Sequence, residues 1–143
     1  MPKNKGGSLP TITARYLGDL RVECTHVASQ QKIITDAPLD NHGKGEAFSP
    51  TDLCCAALGA CAMTIMGIEA QKHDMNITGS SMEITKTMSQ DPRRIAKVEI
   101  AYYLGGSFRL DQKMLLQRAA ENCPVCLSLG PETEIVFTFN WLE

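Results

Sequence analysis

The six cysteines, at positions 24, 54, 55, 61, 123 and 126, are the side chains of this 143-residue chain best suited to chemistry. A thiolate is a nucleophile, a metal ligand and a redox centre, so the setting of each Cys decides what it can do. Cys61 lies inside the apolar run Leu58-Gly59-Ala60-Cys61-Ala62-Met63. There a Cys is either a small packing residue or a shielded redox thiol. Cys123 precedes Pro124, which disfavours helical backbone at Cys123 and itself suits the first position of a helix. Cys123 is therefore expected as a helix N-cap, its sulfur facing free N–H groups, a setting that favours thiolate. Cys54 and Cys55 read as core residues, and Cys54 shares a helical face with Cys61.

Cys123-Pro124-Val125-Cys126 also fits C-x-x-C. In a thioredoxin-type fold that motif follows a strand and opens a long helix; here it follows a helix near the C-terminus. One such pair supplies two of the four ligands that a structural zinc site needs. His26, His42 and His73 are isolated, and no metal or bound cofactor is expected. Among the charged residues, Asp52 sits where a carboxylate can close a capping box at a helix start.

Those residues need elements to position them. Thr11 to Tyr16, Leu20 to His26 and Gln31 to Thr35 read as a three-stranded meander, broken at Gly18-Asp19 and Ser29-Gln30. Residues 37–48 read as a surface loop. Ser49-Pro50-Thr51-Asp52 opens a helix expected to run to about His73, apolar on nearly all sides and so central and buried. Its apolar run, Leu53 to Ile68, is about 16 residues, short for a bilayer span of about 20. Met82 to Met88 and Ile95 to Leu104 read as strands, the second with Ala96, Val98, Ile100 and Tyr102 on one face. Asp111 is expected to cap a helix through about Asn122. A short helix from Cys123-Pro124 to Gly130 follows, then a strand in which Ile135, Phe137, Phe139 and Trp141 alternate with polar neighbours. The order βββ-α-ββ-α-α-β predicts an α+β fold with mainly antiparallel sheets around the central helix.

Composition sets the frame. An apolar fraction of 43% and a charged fraction of 21% are those of a globular protein, expected as a single domain over 1–143 with a flexible tail at 1–8. A net charge of −2 gives no pull toward nucleic acid or an anionic membrane. No signal sequence is read at the N-terminus, and six Cys without one point to free thiols in a reducing cytoplasm rather than a disulfide scaffold.

Ser49-Pro50-Thr51-Asp52-Leu53 through Leu58-Gly59-Ala60-Cys61 resembles the first signature of the OsmC/Ohr family, and Ala119 through Val125, with its Asn122-Cys123-Pro124, resembles the second. The order of elements agrees from about residue 10 to residue 141. Details around both cysteines are more similar to the broader OsmC-like branch. The resemblance implies an OsmC-like fold, an intertwined homodimer and a thiol-dependent hydroperoxide reductase acting in oxidative-stress defence. It implies Cys61 as the peroxidatic thiolate, Cys123 as the resolving thiol, and an arginine held by a carboxylate: Arg21, just after the Gly18-Asp19 turn, is preferred over Arg15, and Asp52 either holds it or only caps the helix. The implied partners are a small peroxide substrate and an external dithiol, a lipoyl group in the Ohr branch. A different class of function stands beside it: a redox sensor or small-molecule binder with an apolar interface pocket lined by Met63, Met66 and Phe48. Cys126 falls where a non-thiol residue is usual, and is read as either inert or a competitor for the disulfide.

Overall fold

The structure, a computed structural model, describes residues 8–142. Apart from Ser8, the expected flexible tail lies outside the described residues. The chain divides into two compact units, Met1–Leu53 and Cys54–Glu143.

The first unit holds strands β1 (Ile12–Gly18), β2 (Arg21–His26) and β3 (Lys32–Asp36), paired in sequence order and all antiparallel. The β1–β2 turn needs left-handed backbone, which Gly18 (φ 89°) supplies without steric cost and Asp19 (φ 53°) tolerates. The expected meander is thus present, with edges shifted by one or two residues. A single 3-10 turn, Leu39–Asn41, interrupts the loop that follows.

Helix α1 (Pro50–Lys72) begins in the first unit and continues through the second. Its start is a capping box: the Asp52 N–H donates to Ser49 Oγ and the Ser49 N–H donates to Asp52 Oδ2, both at 3.0 Å. At 23 residues α1 is long and apolar enough to cross a bilayer by length and composition, so the length argument drawn from the shorter apolar run does not hold. A core helix passes the same test, and α1 has the stripe of one. Its buried residues are Cys55, Leu58, Gly59, Ala62, Met66 and Ala70, recurring every three or four positions. The expectation of burial all round is corrected here: Ala57, Ala60, Thr64 and Ile68 are exposed.

In the second unit, β4 (Ser81–Ser89) pairs antiparallel with β5 (Arg94–Gly105), and β6 (Glu134–Leu142) pairs parallel with β5. Among the described residues three of the four strand pairings are antiparallel, so the mainly antiparallel reading stands with β6 as the exception. The exception follows from α2 (Leu110–Glu121) and α3 (Pro124–Ser128), which supply the crossover a parallel pair requires. Arg109, not Asp111, is the N-cap of α2; its backbone N–H donates to Gln112 Oε1 at 2.9 Å, and Asp111 instead pairs with the Arg109 side chain.

The stripe of α1 packs on this sheet. A Cβ at Gly59 would meet Ile84 Cδ1 at 2.7 Å and Met82 Sδ at 2.8 Å, so helix and sheet approach closely there and any larger residue requires those side-chain ends to shift. Val98, Ile100, Tyr102 and Leu104 form the buried face of β5, as the alternation predicts. Phe137, Phe139 and Trp141 of β6 pack against the same core and make edge-on and stacked ring contacts with one another, with Tyr102 and with Phe108, at ring separations of 5.5–6.4 Å. Each fully buried side chain such as Leu58, Met66, Leu104 or Leu116 contributes about 1.5–3 kcal/mol relative to exposure.

Candidate active site

Three thiols converge in the second unit. Cys61 comes from the middle of α1, one turn beyond the buried Leu58, and is half-buried. Cys123 is the N-cap of α3 in extended backbone (φ −68°, ψ 150°), with Pro124 at the first helical position, and its side chain is fully buried. Cys126, three residues on, is half-buried. The Cys61 and Cys126 side chains both lie close enough to that of Cys123 to interact with it. The Cys126 N–H donates to Cys123 Sγ at 3.3 Å. None of the six cysteines is in a disulfide.

The electrostatics of Cys123 correct the sequence reading. Burial pushes its thiol up to about 11, and the Cys126 N–H, although it lowers the value, does not offset this. Negative charge on Cys61 or Cys126 raises it further. Cys123 is thus held as a neutral thiol, because loss of solvent outweighs one amide donor. Cys126 is also raised, first by burial and then by the charges of Glu121 and Cys61, with its interaction with Cys123 acting the other way.

Tyr102 completes the cluster and was not singled out as a site residue from sequence. It is fully buried, its phenol donates a long 3.4 Å bond to the Gly59 carbonyl, and burial together with the charges of Cys123, Cys126 and Cys61 opposes its ionisation. A tyrosine on the apolar face of an alternating strand must find a partner for its hydroxyl, and that was the available signal.

In the first unit, Arg21 and Asp36 face each other across β2 and β3. The pair is bidentate: Nε to Oδ1 at 2.7 Å and Nη2 to Oδ2 at 2.8 Å, with a further bond from Nη2 to Glu46 Oε2 at 3.0 Å. The Glu46 backbone N–H also donates to Asp36 Oδ2 at 3.2 Å. The Arg21 hydrogen bond holds the Asp36 carboxyl below its usual range. The carboxylates that hold Arg21 are thus Asp36 and Glu46. Asp52, expected in that role or in the cap, is found in the cap. Asp36 was missed because an Asp at a strand end looks like a turn residue; its register opposite Arg21 exists only once β2 and β3 pair.

Two further expectations meet the structure here. Met66 is closed off in the core and Phe48 is exposed. Met63 lines an open groove of about 310 Å³ with Gly67, Met75 and Ile77. Among the described residues no group of three or more His, Cys, Asp or Glu could hold a metal ion, which leaves Cys123 and Cys126 short of a zinc site.

The profile of the OsmC-like protein family matches residues 43–138, spanning both cysteine segments. This chain belongs to the OsmC/Ohr family. A solved Psychrobacter arcticus 273-4 structure, named for osmotic stress induction and a detoxification response, superposes with a TM-score of 0.91 at 39% identity, covering 96% of this chain and 100% of that one. The OsmC-like protein of Mycoplasma pneumoniae gives 0.79 at 16% identity, with 96% and 99% covered. An organic hydroperoxide resistance protein OsmC from Legionella pneumophila gives 0.68 at 19% identity, with 93% and 98% covered. The last two show a shared fold. Among curated proteins nothing matches the chain.

Proposed function

We propose that this OsmC-like protein is a cysteine-based hydroperoxide reductase of oxidative-stress defence, acting in the cytoplasm. The observation that carries the reading is that the thiols of Cys61 and Cys123 lie close enough to interact, residues brought together from α1 and the start of α3. Cys61, as thiolate, attacks the distal oxygen of ROOH; the O–O bond breaks, RO⁻ leaves and takes a proton as ROH, and Cys61 becomes a sulfenic acid. Cys123 then attacks that sulfur, a disulfide forms, and water leaves. An external dithiol reduces the disulfide by two exchanges.

The charges favour this order. A Cys61 thiolate opposes ionisation of Cys123, so the resolving sulfur stays protonated while the attacking one is charged. Conversion of Cys61 to the uncharged sulfenic acid removes that repulsion when Cys123 must lose its proton. Arg21 is the cation we assign to thiolate stabilisation, supported by the rigid two-carboxylate clamp that fixes its guanidinium.

The test is reductant-dependent consumption of cumene hydroperoxide and hydrogen peroxide by wild type, Cys61→Ser and Cys123→Ser, with dithiothreitol and with dihydrolipoamide. Turnover by wild type, none by Cys61→Ser and a single turnover by Cys123→Ser are expected. Equal inertness of wild type and Cys61→Ser overturns the reading. The groove at Met63 and Met75 favours one second reading, a small-molecule binder without turnover, and that result would favour it.

A further inference from the structure

Cys126 is the one thiol of the cluster that the peroxide cycle leaves unused. Cys123 is fully buried, whereas Cys126 reaches the surface in part. The Cys126 N–H donates to Cys123 Sγ at 3.3 Å, and the side chains of Cys61 from α1 and Cys126 from α3 both lie beside that sulfur. Disulfide exchange is attack by a thiolate on one sulfur of a disulfide with expulsion of the other. A disulfide made at Cys123 by Cys61 therefore has an intramolecular nucleophile already beside it.

We propose that Cys126 is a second resolving thiol, which takes the disulfide over from Cys61 and presents it to the external dithiol. This rests on the peroxidase reading above. In the step, the Cys126 thiolate attacks Cys123 Sγ, the Cys123–Cys126 bond forms, the Cys61–Cys123 bond breaks, and Cys61 leaves as thiolate. One disulfide replaces another, so nothing is oxidised or reduced overall, and the proton released by Cys126 is balanced by the charge returned to Cys61. Residues three apart at a helix start are near enough for a bridge, with Cβ atoms about 5–6 Å apart before closure, and the extended backbone of the N-cap leaves Cys123 free to turn toward its partner. The charge state agrees. Cys61 charge is among the causes that keep Cys126 protonated, and it vanishes once Cys61 is in a disulfide. The dithiol then attacks Cys126, and Cys123 never has to meet solvent.

The experiment uses the intact protein, oxidised with one equivalent of cumene hydroperoxide without reductant, quenched in acid with an alkylating agent and digested with trypsin. Cys61 falls in peptide 45–72, and Cys123 and Cys126 in peptide 119–143. Wild type is expected to give peptide 119–143 bridged internally, with Cys61 alkylated. Cys126→Ser is expected to give the two peptides linked through Cys61 and Cys123, with its first turnover intact and its steady-state reduction by dihydrolipoamide slowed several-fold. Linked peptides with Cys126 alkylated in wild type, at every time sampled, overturn the relay and leave the peroxidase reading standing. Absence of any disulfide in both proteins, with peroxide unconsumed, overturns both.

Discussion

Arg21 and Asp36 show how much a single register position can hold. Asp36 is buried, and its cost of desolvation is met by two bonds from Arg21 and one from the Glu46 N–H. Its folded carboxyl lies below the unfolded value of about 3.9, so its contribution to stability is present above that value and is lost as pH falls through the folded value. Urea unfolding across the acid range should therefore lose stability below about pH 3.9 in wild type. Asp36→Asn should start less stable at neutral pH and lose less on acidification. Parallel acid profiles for the two proteins would remove Asp36 from the account. Cys123 carries the complementary lesson. Its place at an N-cap was legible from the Pro that follows it, but its charge was not, because a local motif says nothing of how deeply it is buried.

At the scale of elements, α1 decides the geometry of the thiol cluster. Cys61 is carried by the same helix that meets the sheet at Gly59, where the ends of Ile84 and Met82 would have to shift to admit a Cβ. Gly59→Ala would push α1 from the sheet or force those side chains off their rotamers, at about 1–3 kcal/mol. The expected result is a lower urea midpoint with an unchanged slope, and slower closure of the disulfide after peroxide. An unchanged midpoint would mean that Met82 and Ile84 yield freely. The helix starts and strand alternations were readable because capping residues and period-two patterns are local. Burial of α1 on one stripe was not, since a helix apolar all round offers several faces and the sheet selects one.

For the whole molecule, every buried apolar side chain among the described residues falls between Cys55 and Cys123. The β1–β3 sheet contributes none, and it leaves Ile12, Tyr16, Leu17 and Ile33 exposed. A three-stranded sheet needs an apolar face covered to be stable. We propose that a second copy of the chain covers it, giving the homodimer that the family resemblance implies. Sedimentation should give twice the 15.6 kDa chain mass, and the melting temperature should rise with protein concentration, since unfolding is then linked to dissociation. A monomer with a concentration-independent transition would refute the dimer.

The sequence by itself determined the order of elements, the capped start of α1, Cys123 as the residue before a helix-opening proline, and, through two cysteine segments, the family. All of these are written in residue types at fixed local spacing. Tertiary structure alone decided that β6 runs parallel to β5, that Arg21 is clamped by Asp36 and Glu46 while Asp52 serves the cap, and that Cys126 and Tyr102 join Cys61 and Cys123. Those facts depend on pairing register and on depth of burial. Both are set when distant segments pack, and solvent exclusion then fixes which sulfur can hold a charge.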